Sequence, residues 1–247
     1  MASPTFGSYT LPGSIQTTTD DVAARLRTWE TAGKAGQGSN GGLLASKRVS
    51  IQGIAGYTSV ATRDAGWEAI KAGLPPGVTR ALVVSAATPA RYFSCEVEQV
   101  ARQLSPQFPF RLVYDVTFLV PSGVALATTA TTQTLTSSGG TVTSVVGSER
   151  ALPLLTLTVS AIASSGDVII TNSTTNESIT LRPSATGALY LDSSAETITR
   201  SGSDVSTEWR AGQFLSFAAG VANTLTVGVS GGATVSGLAL SYQARWR

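Results

Sequence analysis

The sequence predicts a mainly β protein in two parts, with a sandwich or jelly roll in its C-terminal half. From Asp167 onwards, short apolar runs with a period of two are separated by Asn, Thr, Gly and Ser turns. Because successive strand side chains point to opposite faces, this spacing indicates half-buried strands joined by tight connections. The same stretch holds no catalytic constellation, so the function is expected to come from a surface.

The N-terminal part mixes strands with glycine-rich connections. Alternation over residues 22–29 predicts a strand, and the glycine-rich run after it predicts a long hairpin whose tip holds Gly36, Gly38 and Gly41. These glycines also form a GxGxxG match. A dinucleotide site needs a helix directly after such a loop, whereas residues 43–53 alternate like a strand. We therefore expect an assembly hairpin here rather than a nucleotide site.

One helix is predicted in this part. Asp64 is a candidate cap, and Trp67, Ile70 and Leu74 share one face of the segment that follows. The prolines at 75–76 end the pattern. A short amphipathic helix in a β-rich chain packs on a sheet, so Trp67 is expected to be a core anchor.

The clearest strand of the first half is FPFRLVYDVTFLVP. Its alternation places five residues on one face: Leu112, Tyr114, Val116, Phe118 and Val120. The single cysteine, Cys95, lies in the preceding predicted strand and is expected to be a small buried residue.

Composition shifts between Ala125 and Gly140, where the chain is almost wholly small and hydroxylated. Because Thr is stiff and β-prone, this segment predicts an extended linker or an edge strand. We place the domain boundary here, which gives a first domain over 1–124, a Thr-rich linker over 125–140 and a C-terminal β-sandwich over 141–247. The final strand places five residues on one face: Leu238, Leu240, Tyr242, Ala244 and Trp246.

Composition and charge exclude several classes of protein. Charged residues make up 13% of the chain, against about 25% in ordinary soluble domains. A low-charge surface suits a protein packed against copies or partners, or an ordinary hydroxyl-rich secreted β protein, and composition favours neither. The net charge of +2 and the lack of a long basic run argue against a dedicated nucleic-acid binder. No apolar stretch approaches the roughly twenty residues needed for membrane insertion.

The chain contains no histidine and one cysteine. Ser-His-Asp and Cys-His nucleophile systems are therefore excluded within one chain, as are the common zinc sites and an intrachain disulfide. Hydrolysis by a pair of carboxylates stays open in principle. We predict a protein that is not an enzyme and that needs no cofactor or metal.

The order of the pieces resembles the distal tail proteins of long-tailed phages, which form the baseplate hub. In the second half the pieces are VIITNSTTNESITL, GALYLD ending at Asp192, a turn made by Gly220 and Asn223, and the terminal YQARW. In the first half they are KRVSIQGIAGY, AGWEAIKAG, RYFSCEVEQV and VYDVTFLVP, in the order found in that family. The resemblance spans residues 47–247.

The resemblance implies a structural virion protein, assembled in the host cytoplasm and located at the phage tail tip. It implies a homo-hexameric ring built by an N-terminal β-sandwich with one helix and a long hairpin. A galectin-like or jelly-roll second domain would project outward. The ring faces would meet the tail tube protein and the tail-tip or tail-associated protein, and DNA would pass through the lumen.

The alternative is a carbohydrate-binding β-sandwich module, such as a virion lectin. Tyr190 and Asp192 lie two apart in a strand and so share a face, and Tyr190 and Trp209 could stack on sugar rings. The competing interpretation is that these aromatics and Trp246 are core or interface residues.

A third hypothesis is a carboxylate-based glycan hydrolase, but the acidic residues of the second half occur at strand ends and turns, where carboxylates cap the backbone. These residues are Asp192, Glu196, Asp204 and Glu208.

Two polar features are assigned to the surface. The glycosylation-like triplets at 172–174 and 176–178 predict an exposed polar turn. Five basic residues of the first half could face DNA, form ring salt bridges or solvate a hairpin. They are Arg25, Arg27, Lys34, Lys47 and Arg48.

Overall fold

The computed structural model describes residues 3–22, 28–30, 37–39, 46–84, 90–163 and 165–246, with backbone only for residues 16–22, 28–30 and 37–39. The chain forms two compact units, Met1–Leu126 and Ala127–Arg247. Each is built mainly from antiparallel strands, as the alternation in the sequence predicts.

The first unit contains ten strands and a helix within its described residues. Their bounds are β1 Thr5–Phe6, β2 Tyr9–Thr10, β3 Ser14–Val22, β4 Thr28–Glu30, β5 Gln37–Ser39, β6 Lys47–Gly56, α1 Val60–Gly73, β7 Arg80–Val83, β8 Arg91–Gln103, β9 Arg111–Val120 and β10 Ala125–Ala127 at the unit boundary.

Strand β8 joins two sets of strands into the sandwich of the first unit. Its first half pairs with β7, where Leu82 faces Phe93, and its second half pairs with β9 from Glu96 onwards, with a bulge between Val97 and Gln99. The rings of Phe6 on β1 and Phe118 on β9 lie 5.3 Å apart, so the two sets face each other across one core. β3 pairs with β6 and β4 with β5, which gives the predicted long hairpin.

Helix α1 begins at a capping box formed by Ser59 and Thr62, so the predicted cap at Asp64 is wrong. Ser59 Oγ accepts a hydrogen bond from the Thr62 amide at 3.1 Å, and Thr62 Oγ1 accepts one from the Ser59 amide at 3.1 Å. Asp64, the expected cap, lies inside the helix and pairs with Arg63 at 2.8 Å. No helix in the described part of the chain is long and apolar enough to cross a membrane.

The helix packs on the sheet through buried apolar residues and through two glycines that admit tyrosine rings. Trp67 and Ile70 are buried, as predicted. A Cβ on Gly66 would lie 2.2 Å from Tyr57 Oη, and one on Gly73 would lie 2.4 Å from Tyr9 Cδ2. These contacts are closer than real Cβ atoms allow, so the two rings require glycine in the helix.

The predicted apolar face of β9 is confirmed. Its five members have no exposed surface: Leu112, Tyr114, Val116, Phe118 and Val120. This face belongs to the core of the first unit.

The thiol of Cys95 is inaccessible to solvent in the folded protein. Its side chain is buried, and burial, together with the nearby charge of Glu96, raises its pKa to about 12. Because the thiolate is the reactive form, we expect Cys95 to react with an aromatic disulfide reagent only when the first unit unfolds. Titration in native buffer and in guanidinium measures this, and a full equivalent reacting in native buffer near neutral pH would contradict it.

The second unit contains a two-sheet sandwich. Its described strands are β11 Thr131–Leu135, β12 Gly139–Val142, β13 Leu154–Ala161, β14 Val168–Asn172, β15 Glu177–Leu181, β16 Gly187–Asp192, β17 Thr197–Arg200, β18 Ser203–Asp204, β19 Trp209–Gly212, β20 Asn223–Val229, β21 Thr234–Tyr242 and β22 Arg245–Trp246, with a 3₁₀ turn at Ser206–Glu208.

Among the described residues, six strands form one sheet in the order β11-β21-β13-β16-β17-β18, and five form the other in the order β12-β20-β14-β15-β19. We call these the six-stranded and five-stranded sheets. The buried apolar residues of both make one core. The sequence prediction of a mainly β fold is confirmed, and a galectin-like assignment of this unit stays a prediction.

Of the two alternatives predicted for the Thr-rich segment over 125–140, a linker or an edge strand, the structure shows edge strands. β11 pairs with β21 from Thr131 opposite Tyr242, and β12 pairs with β20 from Gly139 opposite Thr226. The segment thus supplies an edge strand to each sheet of the second unit. Its side chains suit edge positions, since β-branched Thr favours strands and its hydroxyl can remain in water.

The last apolar face predicted from the sequence is also buried. The ring of Tyr242 meets that of Phe217 edge-on, with centroids 5.4 Å apart. The other members are at most 7% exposed: Leu238, Leu240, Ala244 and Trp246.

Candidate functional site

An open cleft of about 550 Å³ lies at one end of the second unit's sandwich. It is formed by Arg150, Glu177 and the segments 193–196 and 213–216. Strand β13 begins and β16 ends on the side of the six-stranded sheet, while β15 begins and β19 ends on the side of the five-stranded sheet. We call this feature the end cleft.

A buried carboxylate forms the floor of the end cleft. Glu177 is 7% exposed and accepts hydrogen bonds from the Ser216 amide at 2.6 Å, from Ser216 Oγ at 2.9 Å and from Thr175 Oγ1 at 2.9 Å. Arg150 Nη1 lies 3.0 Å from Glu177 Oε1, and most of the Arg150 side chain is in solvent. The carboxylate is therefore held by four donors, one of which, the Arg150 guanidinium, belongs to a largely exposed side chain.

Two buried asparagines fix the backbone around Ser216, the residue whose amide binds Glu177. Asn172 donates to the Ser216 carbonyl at 2.7 Å and to Asn223 Oδ1 at 3.2 Å, and its own oxygen accepts from the Thr174 amide. Asn223 binds both the amide and the carbonyl of Ala218. The expected exposed turn at 172–174 and 176–178 is thus wrong for two residues. Asn172 has no exposed surface and organises a buried network, and Glu177 is 7% exposed.

Asp192 builds one wall of the end cleft by shaping its turn. Its Oδ1 accepts from the Ser194 amide at 2.8 Å, from the Ser194 hydroxyl at 2.6 Å and from the Ala195 amide at 3.1 Å. Burial acts to raise the pKa of Asp192, but these hydrogen bonds outweigh it and the pKa lies below its ordinary value. Ser193, beside it, is buried, and its hydroxyl has no hydrogen-bond partner among the described residues.

The opposite wall carries an aromatic pair. Phe214 lines the end cleft, and its ring centroid lies 5.7 Å from that of Trp209 at an interplanar angle of 59°. Trp209 is 44% exposed, and its indole N–H donates to the Ala211 carbonyl.

The three residues suggested for carbohydrate contact do not meet as a group. Tyr190 stands exposed on the outer face of the six-stranded sheet, between Thr156 and Thr199 of the adjoining strands. Trp209 belongs to the five-stranded sheet. Asp192 and Trp209 contribute indirectly to the two walls of the end cleft, whereas Tyr190 does not line it.

Two of the other acidic residues predicted at turns, Glu208 and Asp204, are engaged in structural bonds, whereas Glu196 is exposed at the end cleft. Glu208 is buried, pairs with Arg200 at 2.8 Å and accepts from the Ser184 amide. Asp204 accepts from the Ser206 amide. Within the described residues, no group of three or more His, Cys, Asp or Glu side chains could hold a metal ion.

The predicted assembly hairpin is described only in part. Gly38 lies in β5 opposite Trp29, while Gly36 and Gly41 fall outside the described residues. Its role in assembly stays a prediction.

The structure likewise describes only some of the five basic residues of the first half. Arg25, Arg27 and Lys34 also fall outside the described residues. Lys47 is 1% exposed with its ammonium 5.2 Å from the Phe93 ring centroid, and burial lowers its pKa.

Arg48 forms two 2.7 Å hydrogen bonds with Glu98. Lys47 is therefore a core residue, and Arg48 a surface ion pair.

The connection between β8 and β9 exposes three apolar side chains, two of which, Phe108 and Phe110, were predicted to lie in a strand. Leu104, Phe108 and Phe110 are 48%, 49% and 47% exposed. The Arg111 guanidinium lies 4.7 Å over the Phe108 ring, and Arg63 anchors the loop by donating to the Pro109 carbonyl. We call residues 104–110 the apolar loop. Exposed clusters of this kind mark interaction surfaces.

The fold has a solved counterpart. The structure of the Dit protein (gp 19.1) of phage SPP1, described as a paradigm of the hub adsorption apparatus in phages that infect Gram-positive bacteria, matches with a TM-score of 0.73 and 12% sequence identity. The match covers 99% of this chain and 99% of that chain. The resemblance to distal tail proteins stated from the sequence is thus confirmed for the fold, over both units.

Other comparisons add little. Two structures of the phage P2 baseplate in its activated conformation, with Ca and with Sr, are 8% and 7% identical with TM-scores of 0.43. They cover 98% and 93% of this chain and 90% and 89% of theirs, but such scores are too low to bear on the fold. No protein-family model and no curated protein matches the sequence.

Proposed function

We propose that the protein is a structural hub of a phage tail, a homo-oligomeric ring of six subunits that joins the tail tube to the tail-tip or host-adhesion apparatus. The observation that carries the proposal is the match to the SPP1 Dit protein over 99% of both chains. A match of that extent takes in both units, so it is not a likeness between isolated sandwiches.

In this proposal the first unit builds the ring and the second projects from it. The apolar loop of the first unit supports this division, because three half-exposed apolar side chains within seven residues are costly in water. A closed ring repeats one heterologous contact by rotation, so each loop would be covered by the neighbouring copy. The ring would act by fixed geometry, without catalysis or a cofactor.

The proposal extends to location and partners. The protein would be assembled in the host cytoplasm and would reside at the virion tail tip. One ring face would contact the tail tube protein and the other the tail-tip or tail-associated protein, with DNA in transit through the lumen. Neighbouring subunits would also cover strand edges that are a pairing hazard in a free monomer.

Native mass spectrometry of the purified chain tests the proposal. We expect a closed assembly, because a lumen needs a rotational repeat of the contact, and six copies, because the resemblance to distal tail proteins implies that number. A monomer that persists at micromolar concentration would contradict the ring.

Changing Leu104, Phe108 and Phe110 to serine should shift the assembly towards monomers, since it removes the apolar area that a neighbour would cover. Val229→Ser is the matched control, because Val229 is an equally exposed apolar residue of the second unit. Equal loss of assembly in both variants would show that the apolar loop is not part of the interface between subunits.

A further inference from the structure

We propose that the apolar loop of one copy docks on a proline turn at the far end of helix α1 in the next copy. The proline turn is residues 75–79, which follow α1 with the sequence PPGVT. The proposal rests on the tail-hub function and adds the surface that receives the loop. A ring contact joins two different surfaces of the same chain, so each copy must carry a second exposed surface that fits the loop.

The proline turn presents apolar surface to solvent. Val78 is 38% exposed, and Pro76 is exposed two residues before it. Gly77 adopts a φ of 71°, which favours glycine, and a Cβ placed on it would meet no described atom within 4 Å beyond its chain neighbours. The buried Leu74 fixes the start of the turn against the core. The turn is therefore held in place and open to a partner.

The apolar loop and the proline turn lie at opposite ends of helix α1. At the N-terminal end of the helix, Arg63 donates to the Pro109 carbonyl, and the Tyr57 amide donates to the Phe110 carbonyl. The 14 residues of α1 then extend over about 21 Å before the proline turn begins.

Strand β8 gives a second measure of this separation. Arg80, directly after the proline turn, pairs with Cys95 near the start of β8, and the apolar loop follows Gln103 at the end of β8. From residue 95 to residue 103 a strand extends about 26 Å, at about 3.3 Å per residue. Two regular elements therefore hold the loop and the turn about 20 Å or more apart. One chain cannot bring them together, whereas two neighbouring copies can.

The two surfaces suit each other chemically. Phe108 and Phe110 offer half-exposed aromatic rings, and proline-rich segments dock on aromatic surfaces. Neither the loop sequence LSPQFPF nor the turn sequence PPGVT contains a charged residue. Packing one on the other would therefore bury apolar area without burying an unpaired charge.

The charges beside the two surfaces favour the loop-to-turn contact over a loop-to-loop contact. The exposed Arg111 directly follows the apolar loop. Beside the proline turn, Glu96 accepts a hydrogen bond from Thr79 Oγ1 at 2.8 Å, while the Arg80 guanidinium lies over the buried Phe6 ring. Loop against turn brings a guanidinium towards a carboxylate, whereas loop against loop brings two guanidiniums together.

Disulfide cross-linking of the assembled full chain tests the contact. Val78→Cys combined with Leu104→Cys places one thiol on each surface. Mild oxidation should then link each copy to the next and give a ladder of covalent multimers on a non-reducing denaturing gel. A link within one chain is excluded, because a disulfide needs Cα atoms within about 7 Å of each other. The native Cys95 is buried and adds no background.

A second cysteine pair and a matched control make the result decisive. Val78→Cys with Phe110→Cys covers the other end of the loop, and we expect at least one of the two pairs to give the ladder. Val229→Cys with Leu104→Cys is the control, because Val229 is an exposed apolar residue of the second unit. This control should give no species larger than a dimer.

Native mass spectrometry of the reduced variants separates failure of this contact from failure of the ring. A closed assembly in which neither cysteine pair cross-links would overturn the docking and leave the tail-hub function standing. A ladder of equal yield in the Val229→Cys control would also overturn the docking. A monomer that persists at micromolar concentration in the parent chain would contradict the ring, and the docking with it.

Discussion

Replacing Gly53 with alanine is expected to lower the free energy of unfolding of the first unit by about 3 kcal/mol. Gly53 lies on β6 directly opposite Tyr114 on β9, and the tyrosine ring crosses over it. A Cβ at this position would lie 2.3 Å from both Cζ and Oη of Tyr114.

The ring of Tyr114 cannot move aside without further loss. It has no exposed surface, and its hydroxyl donates to the Pro12 carbonyl at 2.6 Å. Burial, with the nearby Tyr9 and Tyr57 hydroxyls, also raises its pKa, which agrees with an enclosed phenol. Alanine would therefore cost both overpacking, about 1–3 kcal/mol, and a buried hydrogen bond of about 1 kcal/mol.

Guanidinium unfolding followed by tryptophan fluorescence measures this change, since Trp67 reports on the first unit. Gly56→Ala on the same strand is the matched control, because no described atom lies within 4 Å of its added Cβ. We expect Gly56→Ala to stay within about 0.5 kcal/mol of the parent. Equal destabilisation by the two substitutions would show that strand propensity, rather than the Tyr114 ring, sets the cost.

The parts of the fold that the sequence predicts are those in which one local pattern decides the structure. The alternation over 111–120 is strict, and a one-residue shift in register would turn its whole apolar face to solvent. The spacing of Trp67 and Ile70 likewise defines the buried face of α1. In both cases the burial of large side chains outweighs any competing local preference.

The errors arose where a distant partner decides what a residue does. The sequence predicts a surface position for Lys47. In the structure Lys47 lies on β6, which pairs with β3 and β9, and its buried ammonium lies over the Phe93 ring. The sequence predicts an exposed turn at Asn172. Its side chain instead forms buried hydrogen bonds with Asn223 and Ser216, about fifty residues away along the chain. No local pattern contains these pairings.

The end cleft could not be predicted for the same reason. Its residues come from four separate segments, and no local pattern in the sequence shows that these segments meet. Two residues close to its walls were nevertheless named from the sequence, since Asp192 and Trp209 were predicted as possible carbohydrate contacts. The structure gives them supporting roles: Asp192 shapes the turn that contains Ser193, and Trp209 packs against Phe214.

Replacing Glu177 with alanine is expected to destabilise the second unit by about 3 kcal/mol. The substitution removes the acceptor for the Ser216 amide, the Ser216 hydroxyl and the Thr175 hydroxyl at once. Buried donors left without a partner cost about 1–3 kcal/mol each, and breaking a buried ion pair costs about 3–5 kcal/mol. The lower end applies here, because Arg150 is largely exposed and water can solvate it.

The effect should spread through the buried network rather than stay at one residue. Ser216 contacts Glu177 through its amide and Asn172 through its carbonyl, so a shift of Ser216 weakens the asparagine pair as well. We therefore expect Glu177→Ala and Asn172→Ala to be non-additive when combined, since the two residues share a partner. The double variant should lose less stability than the sum of the single losses.

Thermal and guanidinium unfolding of the full chain measure these changes, with the transition of the first unit as an internal reference. Asp167→Ala is the control in the same unit, because Asp167 pairs with Arg182 at 2.7 Å but both side chains reach solvent. Water can replace that exposed pair, so its loss should matter less than that of Glu177. A Glu177→Ala variant as stable as the Asp167→Ala variant would show that the floor of the end cleft contributes nothing to folding and that its four-donor carboxylate is retained for another reason.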